Sequence, residues 1–426
     1  MAKNTQSGLI LSRYLYAIDE VCISFVHSLL HKDIEQALWW FFEYYFSVIP
    51  EKLGPNVGVT KKPWQLLFKV YYDYYAIYYP TIERRMAKQF ENWCATWDDK
   101  TLSYAEKYKK NIEPCISAIM NLSRRKASFD VFILRQAYHK INTSQKSPYR
   151  FASADKLATN SKRSWLTDPY YPVGFYGLLW AIHIRDWQNV CYYLRILVEH
   201  PEVSMFDLYL KTIHYFITQE GVNIVRNEAQ IETQWNKMIQ CYRTEWHILL
   251  SGIAYFAKWP EDSGFEPFYN IPHIVANPES KLDEKVLEWN KPADNLWDTL
   301  RIRRIYAVSP IIKCFQIERT NMTPEEFADT YRMHWEKYSA RCPVWKDRFQ
   351  RYSAEFTYDE CVKFTDETKE EMFYETYNLE PDEQPIETQL CSIGIVDKIE
   401  IENAYKCERG EVLYLPEAGI GDELIN

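Results

Sequence analysis

Glycine is scarce, at 12 of 426 residues. Many-stranded sheets need glycine at the positive-φ positions of their tight turns, so the shortage points toward long helices. The ten cysteines, at 22, 94, 115, 191, 241, 314, 342, 361, 391 and 407, include no Cys-x-x-Cys pair, which removes zinc-ribbon and thioredoxin spacings. They are dispersed over a long chain, and Cys22 and Cys191 fall on apolar helix faces, so they read as reduced core thiols and not as a disulfide framework. No run of eighteen apolar residues occurs; 37–46 and 175–184 come nearest, so no membrane span is expected. The opening MAKNTQSGLILSRYLYAIDEV holds an apolar run too short for the core of a secretory signal, which points to an intracellular chain.

Catalytic signatures are also lacking. Neither Gly-x-x-x-x-Gly-Lys-Ser/Thr nor Gly-x-Gly-x-x-Gly occurs, and Gly54 and Gly58 before Lys61 and Lys62 follow no strand pattern. Gly-x-Ser-x-Gly and the kinase and β-lactamase signatures are missing as well. Carboxylates are too numerous in an acidic chain to nominate a general acid and base. No catalytic residue and no cofactor is expected, and the functional reading leans away from an enzyme.

What the chain has in abundance is aromatic surface: 33 Tyr, 21 Phe and 15 Trp. Each such side chain removes a large area from water when buried, so disorder over most of the chain is not expected. At 426 residues, one core is usually exceeded and two or more lobes are expected. Leu11, Tyr14, Leu15, Ile18, Cys22, Val26 and Leu29 recur at helical spacing and predict a first helix. Asp33 is an N-cap with Gln36 three residues on, and Ile34, Ala37, Leu38, Phe41, Phe42 and Tyr45 then fill one face of a second helix. Trp39 and Trp40 widen that stripe, as a central core helix would require.

Pro63 suits the first turn of a helix ending before Pro80, and Thr81 can cap the next, to about Trp97. Residues 142–169 lose periodicity and read as a loop. The segment RDWQNVCYYLRILVEHP from Arg185 echoes KDIEQALWWFFEYYFSVIP from Lys32, which suggests two related helical hairpins. Further helices are expected over 202–219, 228–258 and 296–308, and a capping box at Thr323 and Glu326 opens one reaching about Arg341.

The fold class is therefore mainly α, as packed helical pairs in one or two lobes. The regions are 1–165 with a basic loop, 166–292 ending in a proline-rich linker, 293–357, and an acidic tail over 358–426. From Glu355 to Asn426 there are 20 acidic against 5 basic residues, a local charge of −15. Ile399 and Ile401 with Val412 and Tyr414, around Gly410, can form a small β-hairpin there.

Three groups of residues carry the functional candidates. His27 and His31 have the i, i+4 spacing that lets two imidazoles meet one metal and lie on the polar face of the first helix with Glu20 and Ser24, although no nearby Cys or His completes a ligand set. Over 123–165 ten basic residues face two aspartates, a local +8, with Arg124, Arg125, Lys126, Arg135, Lys140, Arg150, Lys162 and Arg163 as candidate nucleic-acid contacts. Tyr138, Tyr149, Phe151 and Trp165 are interleaved where bases could stack, although a solvated loop or a dock for the acidic tail fits the same run. Trp39, Trp40, Tyr71 and Tyr75 exceed what one helical stripe needs, and any exposed excess would anchor a protein partner or a second copy.

Four segments, LLWAIHIRDWQNVCYYL from Leu178, RRIYAVSP from Arg303, HWEKYSARCPVWKDRF from His334 and FYETYNLEPDEQ from Phe373, resemble a family of helical proteins of nucleocytoplasmic large DNA viruses, the giant viruses. The resemblance extends over most of the chain and transfers no catalytic residue. It implies a location, in the cytoplasm of an infected cell, a viral factory or the virion. The expected function is a non-enzymatic structural or protein-interaction component. A nucleic-acid-associated accessory factor using 124–163 is the alternative, and an enzyme with an unrecognised site is a third reading.

Overall fold

A computed structural model describes residues 9–50, 58–79, 82–128, 174–183, 187–199, 203–219, 333–357 and 362–377, with short pieces between 131 and 138, 232 and 236, and 249 and 253. Among these the protein is mainly α-helical, with one two-stranded antiparallel sheet. The helices are α1 (Ile18–Leu30), α2 (Ile34–Val48), α3 (Lys62–Val70), α4 (Ile82–Asp98), α5 (Tyr104–Lys110), α6 (Ile112–Ser123), α7 (Gly174–His183), α8 (Trp187–Glu199), α9 (Met205–Gln219), α10 (Trp335–Ser339), α11 (Pro343–Arg351) and α12 (Glu367–Tyr377). The strands β1 (Ala354–Phe356) and β2 (Val362–Phe364) lie between α11 and α12 and pair Glu355 with Lys363.

The joint between α1 and α2 shows how local sequence sets this architecture. The amide of Asp33 donates to the Ser28 carbonyl at 2.9 Å and that of Lys32 to the Leu29 carbonyl at 3.1 Å, the two bonds of a Schellman termination. Lys32 accordingly sits at φ 63°, in the left-handed region. Asp33 then serves the next helix: its carboxylate accepts from the Gln36 amide at 3.1 Å and from Gln36 Nε2 at 2.9 Å. Two helices are thus reversed on three residues, and α1 packs along α2. The echo segment behaves alike, since α8 is the second member of a packed pair with α7. A side chain on Gly177 would collide with the Tyr193 ring, so the α7–α8 contact depends on glycine there.

The first helix begins later than its apolar spacing predicts. Leu11, Tyr14 and Leu15 precede it in an irregular turn, with Leu11 bridged to Ala17 and Leu15 at φ 61°. The physical reason is that the Arg13 and Tyr14 amides bond to side chains of α2, the Leu11 amide to the Tyr338 carbonyl and the Leu15 and Tyr16 amides to Ser12, so no helical ladder forms. Pro63 opens α3 as expected, but the helix loosens into a π-turn over Tyr71–Tyr75 before Pro80. Pro343 acts as a starter: α10 ends at Ser339 and Pro343 is in the first turn of α11. The expected hairpin at 399–414 lies outside the described residues, as do the helix expected at 296–308, most of 228–258, the loop of 142–169 and residues 323–332 of the helix expected from Thr323; in the described part of that helix His334 is non-helical, and α10 ends at Ser339, short of Arg341. The observed hairpin spans the expected boundary at 357/358.

Burial is densest in the N-terminal bundle. Helix α6 is buried from Cys115 to Ser123 and α2 from Ala37 to Glu43, so these two are the centre against which α1, α3, α4 and α5 pack. Around them lie Trp40, Trp64, Trp93, Tyr45, Tyr71, Tyr72 and Tyr75, each essentially inaccessible to water. Residues 335–377 add a second aromatic cluster, with Phe349 stacked on Phe373 at 4.7 Å and Trp345 edge-on to Trp335 at 5.5 Å. Among the described residues no helix is long and apolar enough to cross a membrane.

Candidate functional site

Within helix α2 the aromatic stretch WWFFEYYF is interrupted by one acid, Glu43. Its carboxylate is wholly buried and meets the guanidinium of Arg13, Nε to Oε2 at 2.8 Å. The other carboxylate oxygen accepts from the Tyr14 amide at 2.9 Å. One turn along, Ser47 Oγ accepts from the Arg13 amide at 2.8 Å and donates to the Glu43 carbonyl at 2.6 Å. The Arg13 guanidinium also lies over the rings of Tyr14 and Phe46, at 4.5 and 4.7 Å. Burial works against the Arg13 charge, but Tyr14 and Glu43 outweigh it and raise its pKa above the ordinary arginine value, so it remains a cation.

The C-terminal segment closes over this pair. Trp345 Nε1 donates to the carbonyls of Ser12 and Arg13, at 3.2 and 3.1 Å, and Cys342 Sγ donates to the Ser47 carbonyl at 3.1 Å. The Leu11 amide donates to the Tyr338 carbonyl at 3.2 Å, and Arg341 Nη1 to the Leu9 carbonyl at 3.3 Å. Residues more than 300 positions apart are therefore joined through a polar clasp with the ion pair at its centre. Glu43 and Tyr45 are roughly 200° apart around α2, so the helix presents opposite faces to the clasp and to the bundle. On the bundle side Trp93 Nε1 donates to the Tyr45 hydroxyl at 3.3 Å.

The candidates named from sequence fare differently. Trp39, Trp40, Tyr71 and Tyr75 are all buried, at 3, 1, 0 and 1% exposure, which corrects the expectation that they anchor a partner. Their excess over one stripe exists because α2 and the turn after α3 are covered on more than one side: Trp39 and Trp40 pack on Tyr16, for example, at 5.8 and 5.2 Å.

His27 and His31 are brought together, with ring centroids 4.3 Å apart. Their face is polar but turns from the interior to solvent along its length: Glu20 and Ser24 are buried, His27 is half-buried and His31 is exposed. Burial, and then the neighbouring His31, push the His27 pKa down to about 3, so at neutral pH this imidazole is uncharged. Burial also lowers His31, against a smaller raising influence from Asp33. Two imidazoles alone hold a metal weakly, and among the described residues no group of three or more His, Cys, Asp and Glu side chains converges.

The basic candidates divide. Arg124 and Lys126 are exposed, whereas Arg125 is buried at 1% and donates to the Asn121 carbonyl and to its side-chain oxygen, with its guanidinium 5.6 Å from the Tyr79 ring centre. That placement removes Arg125 as a phosphate contact. Tyr138, one of the expected stacking platforms, is also buried. Arg135, Lys140, Arg150, Lys162 and Arg163 lie outside the described residues.

The described cysteines, Cys22, Cys94, Cys115, Cys191 and Cys342, are free thiols. Burial raises the Cys22 thiol to about 12 and Cys342 to about 11, and holds Cys115 well above the usual range. A thiol so shifted is a poor nucleophile and a poor metal ligand at neutral pH. The clasp itself, Arg13, Glu43, Ser47, Cys342 and Trp345, was not identified from sequence. The one signal it left was a charged residue inside each of two apolar runs, at 13 and 43.

Comparison with models of known protein families, with curated proteins and with solved structures finds no match.

Proposed function

We propose that this chain is a non-enzymatic structural or protein-interaction component, acting in the cytoplasm, viral factory or particle of a cell infected by a giant virus. The observation that carries the reading is the use to which the reactive side chains are put. Arg13 and Glu43 bond each other and the surrounding backbone, the buried thiols are held protonated, and the histidine pair is held neutral. Arg13, Glu43 and Cys342 hold the segment 338–345 against 9–13 and α2, and none of these groups is left as a reactive centre. The location rests on the resemblance of the four segments quoted above.

Partner contact is assigned to the outer face of residues 333–377. Among the described residues the exposed large hydrophobics are Met333 and Met372, at 74 and 51% exposure, and both belong to this segment. Met372 stands on α12 beside exposed Glu371 and Glu375, so the surface is an adaptable thioether set in negative charge. A basic, partly apolar protein surface is its complement. Sizing and chemical cross-linking of the native protein from infected cells test the reading. The expected result is a reproducible complex with cross-links leaving 333–377; a monomer without a reproducible partner contradicts it.

A further inference from the structure

Among the described residues, helix α12 is covered on one side. Phe373 and Tyr377 are buried against α11, Phe373 stacked on Phe349 at 4.7 Å and Tyr377 edge-on to Trp345 at 5.9 Å. The Tyr374 hydroxyl donates to Glu336 Oε1 at 3.1 Å, which ties the helix to α10, just beyond the exposed Met333. The opposite side shows two rows at four-residue spacing: Glu367, Glu371 and Glu375, and beside them Thr368, Met372 and Thr376, all six exposed. Four residues of helix rise about 6 Å, so the three carboxylates form a ladder at that interval. The one basic residue of the helix, Lys369, is directed elsewhere, donating from Nζ to Ser353 Oγ at 2.6 Å. Glu375 also stands in the last turn, where the helix dipole disfavours an anion and no basic residue offsets it. Like charges four residues apart repel, so the ladder destabilises the helix unless a cationic partner lies on it.

We propose that this face of α12 docks the basic stretch 139–165 of a second copy of the chain. The proposal rests on the assignment of partner contact to 333–377 and names the partner. Charge complementarity carries it: the stretch holds Lys140, Lys146, Arg150, Lys156, Lys162 and Arg163 against Asp155 alone, so one sequence contains both the anionic ladder and a cationic segment to meet it. Tyr149, Phe151, Leu157 and Trp165 are interleaved with these cations and supply apolar side chains for the Met372 thioether. The stretch lies outside the described residues and enters by its sequence. The described residues that flank it both stand on α8: Leu134, four residues before Tyr138, accepts from Cys191 Sγ at 3.3 Å, and Gly174 lies beside the Leu197 side chain. Helix α12 packs on β2 and α11, so the two halves of the contact belong to different parts of the molecule, which suits a contact between copies.

The test is light scattering of the purified full chain during sizing, at low and at high salt. The wild type is expected to self-associate at low salt, with a mass that rises with concentration, and to run as a monomer at high salt, where screening removes the attraction. Two charge-reversed chains separate the contact into its halves: Glu367→Lys/Glu371→Lys/Glu375→Lys, and Lys146→Glu/Arg150→Glu/Lys156→Glu. Each alone should associate about tenfold more weakly than the wild type, or worse, because like charges then face each other. An equal mixture of the two should regain association, since the reversed ladder of one meets the reversed stretch of the other. The milder Glu367→Gln/Glu371→Gln/Glu375→Gln, at an unchanged urea midpoint, should also weaken association and separates loss of charge from a folding defect. A wild type that is monomeric at low salt overturns the proposal, as does a mixture that stays monomeric, which would place the contact within one chain. Association untouched by either reversal also overturns it. A pure chain that stays monomeric but forms, in infected cells, a complex cross-linked through 333–377 refutes the second copy as partner and leaves the functional reading standing.

Discussion

Single residues in this protein are legible when their chemistry conflicts with their neighbourhood. Glu43 in WWFFEYYF and Arg13 before YLYAI are charges that a buried helix and a buried turn cannot carry alone, because an isolated ion in a low-dielectric interior costs several kcal/mol. Sequence could announce that each needs a partner; it could not say that they need each other, since 30 residues separate them and pairing depends on how the turn at 11–17 is folded. His27 shows the opposite failure, because spacing suggested a ligand where packing made a half-buried neutral imidazole. Its consequence is a pH dependence. With the native pKa lowered to about 3 against about 6.5 unfolded, the unfolded chain binds more protons between those values, so stability falls as pH drops through that window. Burial is the first cause of the shift and the His31 ring the second. His27→Gln, which cannot be protonated there, should show a smaller loss of urea midpoint between pH 7 and pH 4 than the wild type. Equal losses in the two proteins would mean that His27 titrates normally in the folded state.

Elements were the most legible scale, and for a physical reason: caps and prolines act through neighbours a few residues away. Asp33 with Gln36, and Pro63, set helix starts from local chemistry alone, and the structure places α2 and α3 accordingly. Elements defined by long-range partners were not readable in this way. The stretch 11–17 has helical apolar spacing, yet its Arg13 and Tyr14 amides bond to Ser47 and Glu43 and its Leu11 amide to the Tyr338 carbonyl, so tertiary contact overrides periodicity. Helix α6 carries Ile112, Cys115, Ile116 and Ile119 on one stripe and Glu113, Ser117 and Asn121 on another; what spacing did not show is that its polar Ser117 and Asn121 are buried as well, which makes it a centre of the core. The Schellman joint at 28–33 permits a sharp test of the local part. Lys32 holds a left-handed conformation that glycine adopts without steric cost, so Lys32→Gly should raise stability by about 1 kcal/mol, seen as a higher urea midpoint at unchanged slope. A lower midpoint would show that the lysine side chain contributes something its exposed position does not suggest.

At the scale of the whole molecule, the mainly helical class was readable because a glycine-poor, aromatic-rich chain with recurrent caps has few other ways to bury its surface. The placement of partner contacts was not. Counting aromatics beyond one stripe identified Trp39, Trp40, Tyr71 and Tyr75 as an excess, but a helix enclosed on several sides uses that excess internally, and all four are core. The arrangement that organises the described structure is the clasp, which holds the segment 335–352 against 9–17 through Arg13, Glu43, Ser47, Cys342 and Trp345. If that clasp is structural, removing one charge must be costly and removing both must be tolerated. A double-mutant cycle of urea unfolding, joined to sizing of the native complex, therefore bears most directly on the account. Glu43→Ala should lose about 3–5 kcal/mol by leaving the Arg13 cation buried without its counter-charge, whereas Arg13→Met/Glu43→Leu should lose far less and form the same complex as the wild type. A double variant that folds with wild-type stability but no longer enters the complex would contradict the account, by showing that the buried pair serves function and not the fold.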